Sequence, residues 1–176
     1  RTVGDLAYGI LTANAAMADS VALFHSTHAN LAGSGGAINS TTVDAGRAAM
    51  GVQTQGSAYL NIRPAFLLCP IAKEGLAKQT IQSEFELSGS KNLTVPNPVR
   101  SIVEVISDAR LTSTAWYLVA SPGINDTVEV AYLDGNPNPT LEQQSGWSID
   151  GVEFKVRIDA GAKALDWRTM YKDPGA

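Results

Sequence analysis

The sequence predicts an α+β domain, and three observations carry the prediction. Apolar residues recur at helical spacing over Thr2 to about Ala18, from Thr41 or Thr42 to about Gln53, and over Ile71 to Phe85. Continuous apolar runs of strand length fill Ala65–Cys69 and Ala115–Ala120. Val152, Phe154, Val156 and Ile158 alternate with Glu153, Lys155, Arg157 and Asp159. Helical patterns thus gather early and strand patterns late, without the regular βαβ alternation of a parallel sheet. No internal repeat is visible.

The elements follow in order. Val3, Leu6, Ile10 and Leu11 open the chain at helical spacing with no cap before them. Arg1 stands where an initiator Met would stand, so the start reads as the second half of a helix and the chain as a fragment. Asp19-Ser20 breaks this helix; a short apolar stretch, Val21 to Phe24, and the polar run His25 to His28 follow. Asn30 to Ser40, rich in Gly, Ser and Asn, is a surface loop. Thr41 or Thr42 offers an N-cap for the second helix, with Asp44 in its first turn and Val43, Arg47 and Met50 along it. The polar stretch Gln53 to Ser57 ends it.

The run Ala65–Cys69, closed by Pro70, reads as a strand buried on both faces. The third helix, Ile71 to Phe85, would turn Ile71, Leu76 and Ile81 inward. Leu87 to Pro98 is loop, and Ser101–Ile106, Ala115–Ala120 and Val128–Leu133 are strands, the last stopped by the turn pair Asp134-Gly135. The alternation from Val152 to Asp159 predicts a strand with one face in the core and one charged. Asp150-Gly151 would turn it back onto a partner at Trp147 to Ile149. The tail carries Leu165, Trp167, Met170 and Tyr171 before Pro174-Gly175-Ala176.

Composition narrows the function. The 176 residues suit one domain, or one domain with a lobe. A hydrophobic share of 44% excludes wholesale disorder. No apolar run approaches the ~18 residues a membrane span needs. Thirteen basic against seventeen acidic side chains give a net charge of -4, opposite to the basic excess of a generic nucleic-acid binder. The single Cys69 excludes an internal disulfide framework. Only 17% of residues are charged, against about 25% in typical domains, and a surface thin in charge is poorly protected against association. Either the chain is simply rich in small polar residues, or much of its surface is meant to be covered by copies of itself.

Catalytic patterns are weak. His25 and His28 could form a metal pair, but they are the only two histidines and Cys69 lies far along the chain. The simpler reading is a polar turn whose imidazoles cap backbone groups. Gly33-Ser34-Gly35-Gly36 has the wrong spacing for a nucleophile elbow and for a dinucleotide fingerprint. Cys69, flanked by Leu67, Leu68 and Pro70, reads as a buried inert thiol. Arg100, Arg110, Lys155, Arg157, Lys163, Arg168 and Lys172 are interleaved with carboxylates, which suggests complementary contacts or a solvated face before phosphate binding. Asn39, Asn92 and Asn125 open glycosylation-type triplets that read as chance. No catalytic, cofactor or metal residue is assigned, and no cofactor is expected.

Four stretches together carry a resemblance: Tyr8 to Leu31, Ala115 to Ala120, Val128 to Gly135, and most specifically Asp150 to Ala176. They resemble the major capsid proteins of tailed bacteriophages, and within them the Mu-like major head subunits, often fused behind a Clp-type prohead protease. Residues Gln53 to Arg63 and Glu84 to Pro98 match least well. The resemblance implies the tailed-phage major capsid fold, with an axial domain and part of a peripheral domain. Residues 1–63 would be the peripheral remainder including the end of the spine helix, 64–150 the axial domain, and 151–176 the return to the peripheral domain. The N-terminal arm and extended loop would precede Arg1. It implies a non-enzymatic subunit of a phage or prophage head whose partners are copies of itself in pentamers and hexamers. A scaffold or prohead protease would assist, packaged DNA would be met only non-specifically, and no membrane is involved. Assembly would occur in the bacterial cytoplasm. The alternatives from other classes are a decoration or binding module of a phage particle, and a metal-dependent hydrolase using His25 and His28.

Overall fold

A computed structural model describes residues 3–86, 95–146 and 150–176. Its elements are helices α1 (Val3–Ala13), α2 (Ser40–Gly51) and α3 (Glu74–Gln82), and ten strands. These are β1 (Thr54–Gln55), β2 (Ala58–Tyr59), β3 (Pro64–Pro70), β4 (Glu104–Asp108), β5 (Trp116–Ala120), β6 (Val128–Tyr132), β7 (Thr140–Ser145), β8 (Val152–Arg157), β9 (Ala160–Ala164) and β10 (Met170–Asp173). The α+β prediction holds, with helices early and strands late.

The centre is a four-stranded sheet in the order β10-β5-β3-β4. β3 lies inside it, parallel to β4 and antiparallel to β5. This explains why its sequence is apolar without alternation: both faces are covered. Leu67 and Cys69, fully buried, face a cluster with Val43, Met50, Ala77, Ile81, Trp116 and Leu118. Leu68 packs on the other side with Phe24, Tyr117 and Met170. α2 crosses the first face so closely that Gly46 admits no side chain. An added Cβ would stand 2.7 Å from Leu118 Cδ1 and 2.9 Å from the Tyr171 ring.

Several boundaries differ from expectation, each for a visible reason. α1 ends at Ala13 and not near Ala18. Asn14 takes a left-handed conformation at φ 47°, and its side chain accepts from Phe24 N at 2.7 Å and donates to Phe24 O at 3.2 Å. Ala15–Met17 then pair with Val21–Leu23 as a tight turn, overriding the helical preference of alanine. α2 starts earlier than Thr41, because Asn39 is its cap. The Asn39 side chain accepts from Thr42 N at 2.9 Å, and Thr42 Oγ1 accepts from Asn39 N at 3.1 Å. Replacing Asn39 with alanine is expected to lower stability by about 1 kcal/mol. An unchanged midpoint in chemical denaturation would show that this reciprocal cap is dispensable.

The third helical region begins as a 3-10 turn over Ile71–Lys73, which rotates the register. Ala77, Thr80 and Ile81 therefore face inward, while Ile71 and Leu76 are exposed, against expectation for those two. The strand expected at Ser101–Ile106 begins at Glu104, because Ser101 is left-handed at φ 55° and its N–H donates to Ile81 O. The expected loop Leu87–Pro98 lies outside the described residues as far as 94. The tail contributes two strands that the sequence left unassigned. β9 pairs antiparallel with β6, and β10 joins the central sheet beside β5.

Candidate assembly surface

The residues singled out for chemistry turn out to serve the fold. His25 caps a short 3-10 turn: its Nδ1 accepts from Thr27 N at 3.1 Å. His28 is buried; its Nδ1 donates to Leu23 O at 3.1 Å, and Nε2 lies 2.7 Å from Asp19 Oδ2. Its ring stacks on Trp167 with centroids 4.3 Å apart and planes 6° apart. The Arg168 guanidinium lies 4.3 Å from the same indole centroid, donates to Thr54 O, and pairs with Asp166. His28 therefore ties residues 19–28 to Trp167 with both of its ring nitrogens engaged, while His25 serves its own turn through Nδ1. No group of three or more His, Cys, Asp or Glu side chains is gathered for a metal among the described residues.

The hydrogen bond from His28, and then that from Val21 N, hold the Asp19 carboxyl below its ordinary value of 3.8. A carboxyl whose folded value is depressed adds stability above its unfolded value, and that stability is lost as pH falls through the folded one. Asp19→Asn should therefore flatten the stability loss between about pH 5 and about pH 2, followed by tryptophan fluorescence. An acid profile identical to the parent would exclude Asp19 as a contributor.

Cys69 is fully buried, and burial, with Glu74 nearby, pushes its thiol up to about 11. A thiolate nucleophile needs the opposite shift. The Gly33 to Gly36 run is loop, and Gly36 N donates to the buried Asp173 carboxylate at 2.8 Å. Asn39 caps α2, Asn125 is half-buried, and Asn92 lies outside the described residues. The scattered cations are mostly matched locally. Arg100 meets Glu84, Arg110 meets Asp5 and Asp108, Lys155 meets Glu142, and Arg157 meets Asp159. Lys172 is different: its ammonium lies 5.7 Å from the Phe24 and Tyr117 centroids, and burial lowers its pKa. A depression of about 700 Å³ beside Trp167 is lined by Asp19, Asp126, Asp166 and Arg168, with no serine, cysteine or histidine on its wall. Nothing in these positions joins a nucleophile to a base.

What stands out is a surface. β6 and β9, then β7 and β8, form two successive antiparallel ribbons. Leu133 N donates to Asp159 O at 3.1 Å where the first ribbon meets the second. At the base, Val128, Val130, Tyr132, Ala160, Ala162 and Ala164 share the half-buried face, and Ala164 and Val128 pack into the cluster that holds Leu11 and Ile10 of α1. Farther out, every residue of β7 and β8 is exposed.

The half-buried strand expected at Val152–Asp159 is thus present as a strand but not half-buried. The alternation is real. Cross-strand pairs place Leu141, Val156, Phe154 and Val152 on one face together with Gln143 and Ser145, and Thr140, Arg157, Glu142, Lys155, Gln144 and Glu153 on the other. The apolar face is left largely uncovered by the described residues. Leu141, Val152, Phe154 and Val156 are 64, 54, 65 and 67% exposed. The partner expected at Trp147 to Ile149 lies outside the described residues, and Thr140–Ser145 occupies that edge of β8 instead. The chain exposes 10712 Å² in all, roughly 2,500 Å² more than a compact chain of its mass would. Contiguous apolar patches of this kind mark association surfaces.

Among comparisons with known proteins, a family model described as phage capsid protein matches residues 1–173. No curated protein matches the chain.

Proposed function

This chain belongs to the phage capsid protein family, and on that premise we propose that copies of it close into the icosahedral head of a phage or prophage. The family match across 173 residues carries the reading. A structural capsid subunit is what that family supplies. The exposed apolar face of β7 and β8 supports it, since a shell subunit must leave faces that only its neighbours cover.

Within this reading the chain is a Mu-like major head subunit. Residues 64–150 form the axial domain, and 1–63 and 151–176 side with the peripheral one. β10, which shares a sheet with β3, β4 and β5, would be the seam between those two parts. Subunits meet as pentamers and hexamers in the host cytoplasm, with a scaffold or prohead protease as helper. DNA is held only non-specifically, as a net charge of -4 favours for a wall that must release its contents. No helix among the described residues is long and apolar enough to cross a membrane.

The test is negative-stain electron microscopy of the product of the encoding gene, expressed alone and with its neighbouring genes. Closed shells, or five- and six-membered rings, are expected. A uniformly small, monodisperse particle under every condition would overturn the shell reading.

A further inference from the structure

We propose that β8 is a strand-pairing edge between two copies of this chain. β8 of a second copy adds to it antiparallel about a two-fold axis at Phe154, and two hairpins become one four-stranded sheet in the order β7-β8-β8-β7. The inference rests on the capsid reading only in that a second copy is at hand.

The first observation is the open edge. β8 pairs with β7 on one side and with no strand on the other among the described residues. A free edge presents a row of N–H and C=O groups that template another strand, and natural proteins blunt such edges with proline, bulges, very short strands or charged side chains; of the charges on β8, Glu153 and Lys155 flank Phe154 with opposite signs. β8 has six residues, contains no proline, and runs in unbroken register with β7. A two-stranded ribbon is marginal in water by itself, whereas four strands with a shared apolar face can be stable.

The second observation selects the occupant. Val152-Glu153-Phe154-Lys155-Val156 is symmetric about Phe154 in shape and antisymmetric in charge. In a two-fold antiparallel pairing centred there, Phe154 meets Phe154 of the second copy once, on the axis, while Val152 meets its Val156 and Glu153 meets its Lys155, each of these two pairs occurring twice. Because the axis stands perpendicular to the sheet, apolar residues of both copies stay on one face. The four exposed apolar side chains of one hairpin then become eight on one continuous face, beside a charged face of matched pairs.

Neighbouring registers fail on the same arithmetic. Centring on Lys155 sets Lys155 against itself, and centring on Glu153 sets Glu153 against itself; like charges directly opposite destabilise a sheet. Glu153 has no ion-pair partner among the described residues, so it is available. Lys155 already meets Glu142 at 3.3 Å within its own copy and would bridge both. Such an edge contact is smaller than a standard stable interface, as suits a contact repeated many times around a shell.

The test traps this register in the 176-residue chain. Directly opposite residues in an antiparallel pair have Cα atoms about 4.5–5.5 Å apart, within disulfide range. Phe154→Cys should therefore cross-link to its own copy under mild oxidation, read as a dimer on a non-reducing gel. Glu153→Cys alone should not, whereas Glu153→Cys mixed with Lys155→Cys should. Cys69 is buried and gives no background. By sedimentation equilibrium, Glu153→Lys should weaken association roughly tenfold, since both exposed charge pairs become repulsive. Adding Lys155→Glu should restore it. The proposal is overturned if Phe154→Cys forms no more covalent dimer than the parent, or if Glu153→Cys alone dimerises equally well. Its failure is distinct from that of the shell reading. Shells without the Phe154 cross-link would sink the pairing alone, and cross-linked dimers that never grow further would sink the shell alone.

Discussion

Trp116→Ala is expected to cost about 3–5 kcal/mol. Trp116 is fully buried in β5, at the centre of the sheet. Its ring meets Tyr171 of β10 with centroids 6.5 Å apart, and its Nε1 donates to Gly36 O at 3.0 Å. Truncation therefore opens a cavity between α2 and the sheet and also orphans a carbonyl of the 30–40 loop. Set against a typical domain stability of about 5–15 kcal/mol, this brings the chain near unfolding at room temperature. Trp116→Phe separates the two contributions. It keeps most of the volume, so it should cost only the hydrogen bond, about 1 kcal/mol, and slight packing loss. Denaturant midpoints of both variants are the measurement. Equal losses would mean that the hydrogen bond, and not the cavity, dominates.

Gly46→Val is expected to destabilise as well, by a smaller amount and for the opposite reason. Two contributions oppose each other at this position. Removing a helical glycine gains about 1 kcal/mol of propensity in the alanine limit. Against this, the first added carbon already stands inside contact distance of Leu118 and Tyr171, both buried in the sheet. Overpacking of a tight core costs about 1–3 kcal/mol, and valine adds two further methyl groups beyond that first carbon. Repulsion therefore wins, and the variant should melt several degrees below the parent. Gly46→Ala tests the balance, since it takes the full propensity gain with the least added bulk. If Gly46→Val melts no lower than the parent, α2 must be able to lift off the sheet at little cost.

The parts of the fold legible in the sequence are those whose local pattern has one physical solution. Ala65–Cys69 and Ala115–Ala120 are apolar throughout because sheet neighbours and packed faces surround them, so the run and the strand coincide. The polar turn at His25–His28 was legible because its side chains can take up the turn's own backbone groups, as His25 does with Thr27 N. What could not be read was set at long range. Ala160–Ala164 has little intrinsic strand preference, and only its pairing with β6 beneath α1 makes it a strand. Thr140–Ser145 is polar and becomes a strand through β8. Ile71 and Leu76 follow a helical period that the 3-10 turn breaks. The alternation of β8 was plain, but the described residues leave its apolar face exposed. An exposed apolar strand face looks, in sequence, like a core strand, and the two differ only in what the fold brings against them.

The closing strand of the central sheet has a bearing on how the protein is made. β10 sits beside β5, and its far side is bonded to the early loop. Lys172 N donates to Asn30 O, Ala32 N donates to Lys172 O, and Asp173 accepts from Gly36 N. These contacts join residues about 140 positions apart, so loop closure delays them. A nascent chain that does not yet include residues 170–173 has a sheet that lacks that strand and an early loop that lacks its anchor. The sheet can close on that side only once Met170–Asp173 has been made. A chain lacking β10 would leave that edge of β5 bare and is expected to be the more readily cut by proteases.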